Sequence, residues 1–165
     1  MAKTYNTFTN VSAGSVLTAS DYNDVLENVG NYRVPPMCLL TKSAQSITAG
    51  SDTAITGYTE AVDTDGMYDA GSPTRITIAT AGLYLFTLNV LWSGTASTRT
   101  DAYIKPSGGS ATAYRDIRYG TSERNHLTVL LECAAADYFE AFVYYTPGTL
   151  TATVRFSAVW QGQVS

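Results

Sequence analysis

Catalysis needs acid, base or nucleophilic groups that converge, and this sequence supplies few. His126 is its single histidine. It opens an apolar run beside Arg124 and Asn125, with no cysteine close by and no serine elbow, so a general-base role has no nucleophile to serve. Glu132, Asp137 and Glu140 could furnish the carboxylate pair of a glycosidase, but they flank an expected turn where solvated charge is the ordinary state. Asp63, Asp65 and Asp69 form the one acidic cluster. Their Asp-x-Asp-Gly run resembles the start of a calcium loop, yet its twelfth position would be Thr74 and no helices flank it. A surface turn at Gly66 is the favoured reading, and a weak calcium site in an assembled oligomer is the other. Cys38 and Cys133 lie far apart in apolar settings, which suit two buried thiols better than a disulfide. Asn10-Val11-Ser12 matches a glycosylation acceptor, but no secretory leader precedes it to give it use. We therefore expect no enzyme and no cofactor.

Composition narrows the class further. The chain has 165 residues, only 15% of them charged, and a net charge of -4. Its polarity comes from 24 Thr and 14 Ser, with 12 Tyr, a mixture suited to pleated, half-buried surfaces. The ten Lys and Arg are scattered without a basic stripe, so nucleic acid is not an expected partner. No apolar stretch is long enough to span a bilayer, and no membrane insertion is expected.

Residues 1–34 differ in character from the rest. Thr4 to Leu17 is a Thr/Ser/Asn/Gly stretch with spaced Tyr5, Phe8 and Val11, as in an extended arm. A short helix should follow, capped by Thr18 with Asp21 at the third helical position, Ser20 being a second candidate cap. Tyr22, Val25, Leu26 and Val29 fall on one helical face. Gly30 should stop the helix, and Pro35-Pro36 marks the boundary. So short a helix is marginal alone and needs a surface to dock on.

From residue 37 onward the pattern is strand and turn. Strands are expected over 37–41, 53–56, 75–80, 83–92, 100–105, 111–118, 126–132, 138–145 and 150–161. In the segment 83–92, Tyr84, Phe86, Leu88, Val90 and Trp92 share one face, while Leu83, Leu85 and Leu91 share the other with Thr87 and Asn89. Two largely apolar faces predict a central strand covered by a second sheet and by another chain. Eight or nine strands without βαβ alternation predict an all-β antiparallel sandwich or jelly roll occupying residues 35–165. Tyr84, Phe86, Trp92, Phe142, Tyr144, Phe156 and Trp160 are the expected core or subunit-contact aromatics. Tyr103, Tyr114, Tyr119 and Tyr145 are the expected exposed ones.

The order of these segments is similar to that of the C1q/TNF-like jelly rolls. Gly82, Tyr84 and Phe86 match that family's Gly-x-Tyr-x-Phe strand, which follows Arg75 to Ala81. The stretch 128–132 followed by Ala136-Asp137-Tyr138 resembles its Leu, Gly-Asp strand pair, and Arg155 to Gly162 its closing strand. Ala136, Ile76 and Ala158 depart from the family's usual Gly, Phe and Gly. The resemblance covers about residues 38–165 and implies a compact homotrimer. The head of the chain has a separate resemblance: Gly14, Val16, Leu17, Thr18, Ala19 and Asn23 are placed as in a segment near the start of tailed-bacteriophage structural proteins. It implies a virion attachment region, with Phe8, Val11, Val16, Leu17, Tyr22, Leu26 and Val29 filling grooves on a virion protein, most naturally the major capsid protein. The whole then looks like a capsid decoration or head-fibre protein on the virion surface. The alternative is a tail-associated protein that recognises a host-surface glycan or receptor.

Overall fold

The computed structural model describes residues 18–96, 98–108, 114–120 and 122–163. One helix, α1 (Ala19–Arg33), precedes ten strands: β1 (Met37–Thr48), β2 (Thr53–Ala54), β3 (Thr59–Asp63), β4 (Arg75–Thr77), β5 (Gly82–Ala96), β6 (Arg99–Pro106), β7 (Tyr114–Tyr119), β8 (Ser122–Cys133), β9 (Tyr138–Thr146) and β10 (Thr149–Gly162). The arm before Thr18, with Phe8, Val11, Val16 and Leu17, lies outside the described residues, as does the Asn10-Val11-Ser12 acceptor.

The capping box forms. Asp21 N–H donates to Thr18 Oγ1 at 3.2 Å, and the Asp21 carboxylate accepts from Thr18 N–H at 2.7 Å and from its hydroxyl at 2.6 Å. The C-terminus differs from expectation, because the helix runs through Gly30 to Arg33. Nothing crowds Gly30, and a glycine inside a helix only weakens it. The effective stop is Pro35, which disfavours helical geometry at the residue before it. Val34 accordingly sits at φ -133°, ψ 80°, its N–H donating to the Gly30 carbonyl as the last helical bond.

The strands form two antiparallel sheets, one in the order β3-β1-β10-β5-β8 and the other β2-β9-β6-β7, with β4 also pairing with β9. Between them lies the core. From the first sheet it takes Leu40, Tyr84, Phe86, Leu88, Trp92, Val154, Phe156 and Trp160; from the second, Ile76, Ala102, Ile104, Phe139, Ala141 and Val143. The Phe86 and Phe139 rings meet across the sandwich at 4.4 Å. Each large side chain so buried contributes about 1.5–3 kcal/mol. Aromatic polar tips find partners: Tyr84 hydroxyl donates to the Thr80 carbonyl at 2.7 Å, and Trp92 Nε1 donates to Asn125 Oδ1 at 2.9 Å. Buried Asn125 also donates to the Asp116 carboxylate at 3.0 Å, tying β8 to β7 at that end of the sandwich.

Several strand expectations need correction. Strand β3 was not expected, since its Thr-Glu-Ala-Val-Asp sequence has no buried face; it pairs at the edge of the first sheet with four of its five residues exposed. Strand β1 continues well past Thr41, carried through its polar middle by a bulge between Lys42 and Gln45 where Ala44 takes φ +50°. Strand β7 starts at Tyr114, and the neighbouring residues 109–113 are not described.

Candidate interaction surfaces

The catalytic candidates do not converge. His126 is exposed, its Nδ1 on Asn89 Oδ1 at 2.5 Å and its Nε2 on Thr128 Oγ1 at 3.1 Å. The three carboxylates near the β8–β9 turn are dispersed. Asp137 accepts from the Ala134 N–H at 2.8 Å, Glu140 from the Thr74 hydroxyl at 2.6 Å, and Glu132 stands opposite Leu83. In the acidic cluster, Asp63 accepts from the backbone N–H groups of Asp65 (3.1 Å) and Tyr68 (2.8 Å), and Asp69 from that of Gly71 (2.9 Å). These carboxylates fold the turn. Among the described residues no group of three or more His, Cys, Asp or Glu side chains is placed to hold a metal ion. Cys38 and Cys133 are both free and buried. Burial raises both thiols, Cys133 to about 12, with the Asp137 and Glu132 charges adding to the shift.

What the geometry offers instead is surface. On α1, Tyr22, Val25, Leu26 and Val29 form the expected stripe, and all four are 42–60% exposed. The helix makes no substantial contact with either sheet. The sandwich closes its own core without it.

The outer face of the first sheet is the second surface. Pairing sets Met37, Val159, Leu85 and Leu130 in one row across β1, β10, β5 and β8. Leu39 faces Val62 on the neighbouring edge. In a single chain Leu130 is 52% exposed and Val62 37%. Around Leu83 and Leu85 both faces of β5 are thus apolar: the inner is covered by the second sheet, the outer by none of the described residues.

The second sheet carries an aromatic and arginine layer on its outer side. The Tyr103 and Phe142 rings stack at 5.3 Å, Arg115 lies over Tyr103 at 4.7 Å, and Arg99 over Tyr144 at 5.0 Å. Beneath them Asp101, fully buried, is held by the guanidinium groups of Arg99 and Arg115. Of the aromatics expected in the core or at a subunit contact, two lie outside the core here. Phe142 and Tyr144 do not lie between the sheets; β9 sends Phe139, Ala141, Val143 and Tyr145 inward and places Phe142 and Tyr144 outside, half-buried under the stack. Conversely, Tyr103 and Tyr145 are buried, Tyr103 by the Phe142 and Arg115 planes and Tyr145 against Trp92 at 5.8 Å. Tyr114 is half-buried, and Tyr119 is 72% exposed. The other expected core aromatics, Tyr84, Phe86, Trp92, Phe156 and Trp160, are all buried between the sheets.

The sequence matches no protein-family model and no curated protein. The architecture does have counterparts. It superimposes on the globular domain of zebrafish complement 1qA protein with a TM-score of 0.57 at 11% identity, covering 78% of this chain and 98% of that one. For the PRD1 vertex protein P5 the TM-score is 0.60 at 12% identity, covering 77% and 97%. For murine APRIL it is 0.54 at 12% identity, covering 73% and 98%. The fold is the C1q/TNF-like jelly roll.

In this jelly roll the motif residues acquire structural reasons. Gly82 opens β5 at φ +149°, and a Cβ there would stand 2.1 Å from Trp160 Nε1 and 2.6 Å from the Gly162 carbonyl oxygen. Tyr84 and Phe86 then enter the core. Ala136, which replaces the usual Gly, holds φ +73° in the tight β8–β9 turn, its N–H donating to the Ile78 carbonyl at 2.8 Å. That left-handed conformation is why glycine suits the position. Ile76 and Ala158, the other two departures, are fully buried. The fold by itself names neither a role nor a ligand.

Proposed function

We propose that the protein is a bacteriophage virion structural protein, a capsid decoration or head-fibre protein that works by binding and not by catalysis. Residues 1–34 anchor it to the particle, and residues 35–165 form a homotrimeric jelly roll displayed outward. The observation that carries this reading is the apolar stripe on α1, left exposed by a sandwich that closes its core without it. Covering what remains exposed of Tyr22, Val25, Leu26 and Val29 contributes on the order of 1 kcal/mol per side chain. The virion-like spacing of Gly14, Val16, Leu17, Thr18, Ala19 and Asn23 supports a virion protein as the partner. The likeness to a viral vertex protein points the same way.

Trimerisation uses the outer face of the first sheet, where Met37, Val159, Leu85 and Leu130 form a row that a second copy can bury. The jelly-roll resemblance implies this assembly, and a solvent-facing apolar row is otherwise costly to keep soluble. Leu130→Glu is expected to convert a trimer into a monomer in analytical ultracentrifugation.

The deciding experiment is electron microscopy of purified virions labelled with antibody against residues 35–165. Regular labelling at lattice positions on the head supports the proposal. Label confined to the tail favours the second reading, receptor recognition, for which the specific observation is exposed Tyr119 beside partly exposed Ile117 at the end of β7. No labelling anywhere removes the virion assignment.

A further inference from the structure

Helix α1 and the sandwich are joined only by Val34, Pro35 and Pro36, and the joint is fastened. Pro36 is buried, and its carbonyl accepts the Trp160 N–H at 2.9 Å. The Pro35 carbonyl accepts the Thr64 hydroxyl at 2.7 Å, and that hydroxyl oxygen in turn takes the Met37 N–H at 2.9 Å. The Thr64 N–H closes the clasp on the Met37 carbonyl at 2.9 Å. Each proline fixes its own φ and confines the residue before it to extended backbone, so Val34 and Pro35 are both restricted. On the helix side the Val34 N–H is held by the Gly30 carbonyl. The connection is a strut and not a flexible tether.

The base of the strut has a defined place. Met37, the next residue, belongs to the row with Val159, Leu85 and Leu130 on the face proposed for trimerisation. Three residues extend no further than about 10 Å, so in a trimer each α1 begins within that distance of the face that joins the copies. From Arg33 back to Tyr22 the helix adds about 17 Å. Every stripe therefore lies within roughly 30 Å of the shared face, and the three are related by the threefold axis. They are too short to cover one another. The 15 residues of α1 make about two heptads, fewer than the three or four of a coiled-coil seam, and Gly30 weakens the helix further. The partner that suits them offers three apolar grooves with the same symmetry and a matching spacing.

We propose that the three α1 stripes of one trimer dock together, each in an apolar groove, on equivalent grooves that copies of a virion protein arrange around a threefold axis. The inference rests on the attachment and trimer readings above and adds the symmetry and spacing of the partner. Each groove takes Tyr22, Val25, Leu26 and Val29, the i, i+3, i+4, i+7 anchors by which an amphipathic helix is read. One such stripe alone is a weak anchor. Once the first is seated, the second and third engagements are intramolecular, and the strut holds their effective concentration high.

The test is co-pelleting of the full chain, over a dilution series, with virions assembled without this protein. The parent is expected to bind at least roughly 100-fold more tightly than Leu130→Glu, which keeps its stripe but not its copies, since linked engagement gains about 10²–10⁴ in affinity. Circular dichroism checks that this variant is folded. A chain with about ten Gly and Ser residues inserted between Val34 and Pro35 should remain a trimer and bind roughly tenfold more weakly than the parent, because its helices no longer hold their spacing. Equal binding by the parent and Leu130→Glu, or by the parent and the insertion variant, overturns the trivalent docking and leaves single-groove attachment standing. Disulfide cross-linking of Val25→Cys chains within the free trimer overturns it as well, since the stripes would then cover one another. A parent that pellets with no virions overturns the attachment reading, and a parent that sediments as a monomer overturns the trimer reading; either takes the inference with it.

Discussion

Gly82→Ala tests the packing logic of the jelly roll at its tightest point. The glycine occupies φ +149°, a region that alanine enters only at a cost of about 1–3 kcal/mol. The added methyl would also lie 2.1 Å from Trp160 Nε1 and 2.8 Å from Trp160 Cδ1, with the Gly162 carbonyl oxygen at 2.6 Å. Trp160 cannot swing away freely, because it is buried and its Nε1 donates toward the Ala81 carbonyl at 3.4 Å. Overpacking of this kind costs about 1–3 kcal/mol more. The sum, about 4 kcal/mol, is a large part of the roughly 5–15 kcal/mol that holds a domain together. Gly50→Ala is the control: φ is +84° there, but nothing lies within 4 Å, so only strain of about 1–2 kcal/mol remains. Urea unfolding followed by tryptophan fluorescence, at one fixed protomer concentration, gives both values. The reasoning fails if Gly82→Ala costs no more than Gly50→Ala.

Ala136→Gly should stabilise the fold by about 0.5 kcal/mol, since relief of the left-handed strain exceeds the entropy glycine adds to the unfolded chain; a fall in the urea midpoint contradicts this. The buried Tyr58 hydroxyl has no hydrogen-bond partner among the described residues, so Tyr58→Phe should raise stability by about 1 kcal/mol, and a loss of that size in the same assay would mean the hydroxyl is satisfied. The Thr18 hydrogen bonds hold the Asp21 carboxyl below its ordinary value, so its support of the helix is complete above the unfolded value of about 3.9 and disappears as pH falls through the lower folded one. Far-UV circular dichroism should show an acid-induced loss of helical signal in that window, absent in Asp21→Asn. Cys38 and Cys133 should resist a water-soluble thiol reagent at mildly alkaline pH in the native protein and both react once it is unfolded; rapid native labelling of either would contradict their burial.

The sandwich was legible because its core strands alternate strictly. Tyr84 through Trp92 and Val154 through Trp160 declare one face at every second position, and the structure buries those residues. Strand β3 was illegible for the opposite reason, as an edge strand pairs through its backbone and leaves no periodic apolar signal. The Tyr103 and Tyr145 errors share another cause. Tyr103 is buried on the outside of its sheet by the neighbouring Phe142 ring and Arg115 guanidinium, and no pattern local to β6 announces a cover supplied by β7 and β9. The polar rung around Asn89 on the outer face of the first sheet was hidden similarly. Arg124, His126, Thr153 and Arg155 come from two distant segments, and only the strand register makes them neighbours.

The place of β10 has a consequence for how the molecule is made. Of the ten strands described it leaves the ribosome after the other nine, yet it lies between β1 and β5, in the middle of its sheet. Until it arrives, β1 has no partner on that side, and β5 presents an open edge flanked by apolar side chains on both faces. The nascent chain therefore waits, with its stickiest strand exposed, for β10 to complete the sheet. Loss of the closing segment would remove the connection between the two halves of the sheet and not merely shorten one side. Ribosome-stalled chains ending before Thr149 should accordingly remain open to protease, with protection arriving abruptly once β10 clears the exit tunnel.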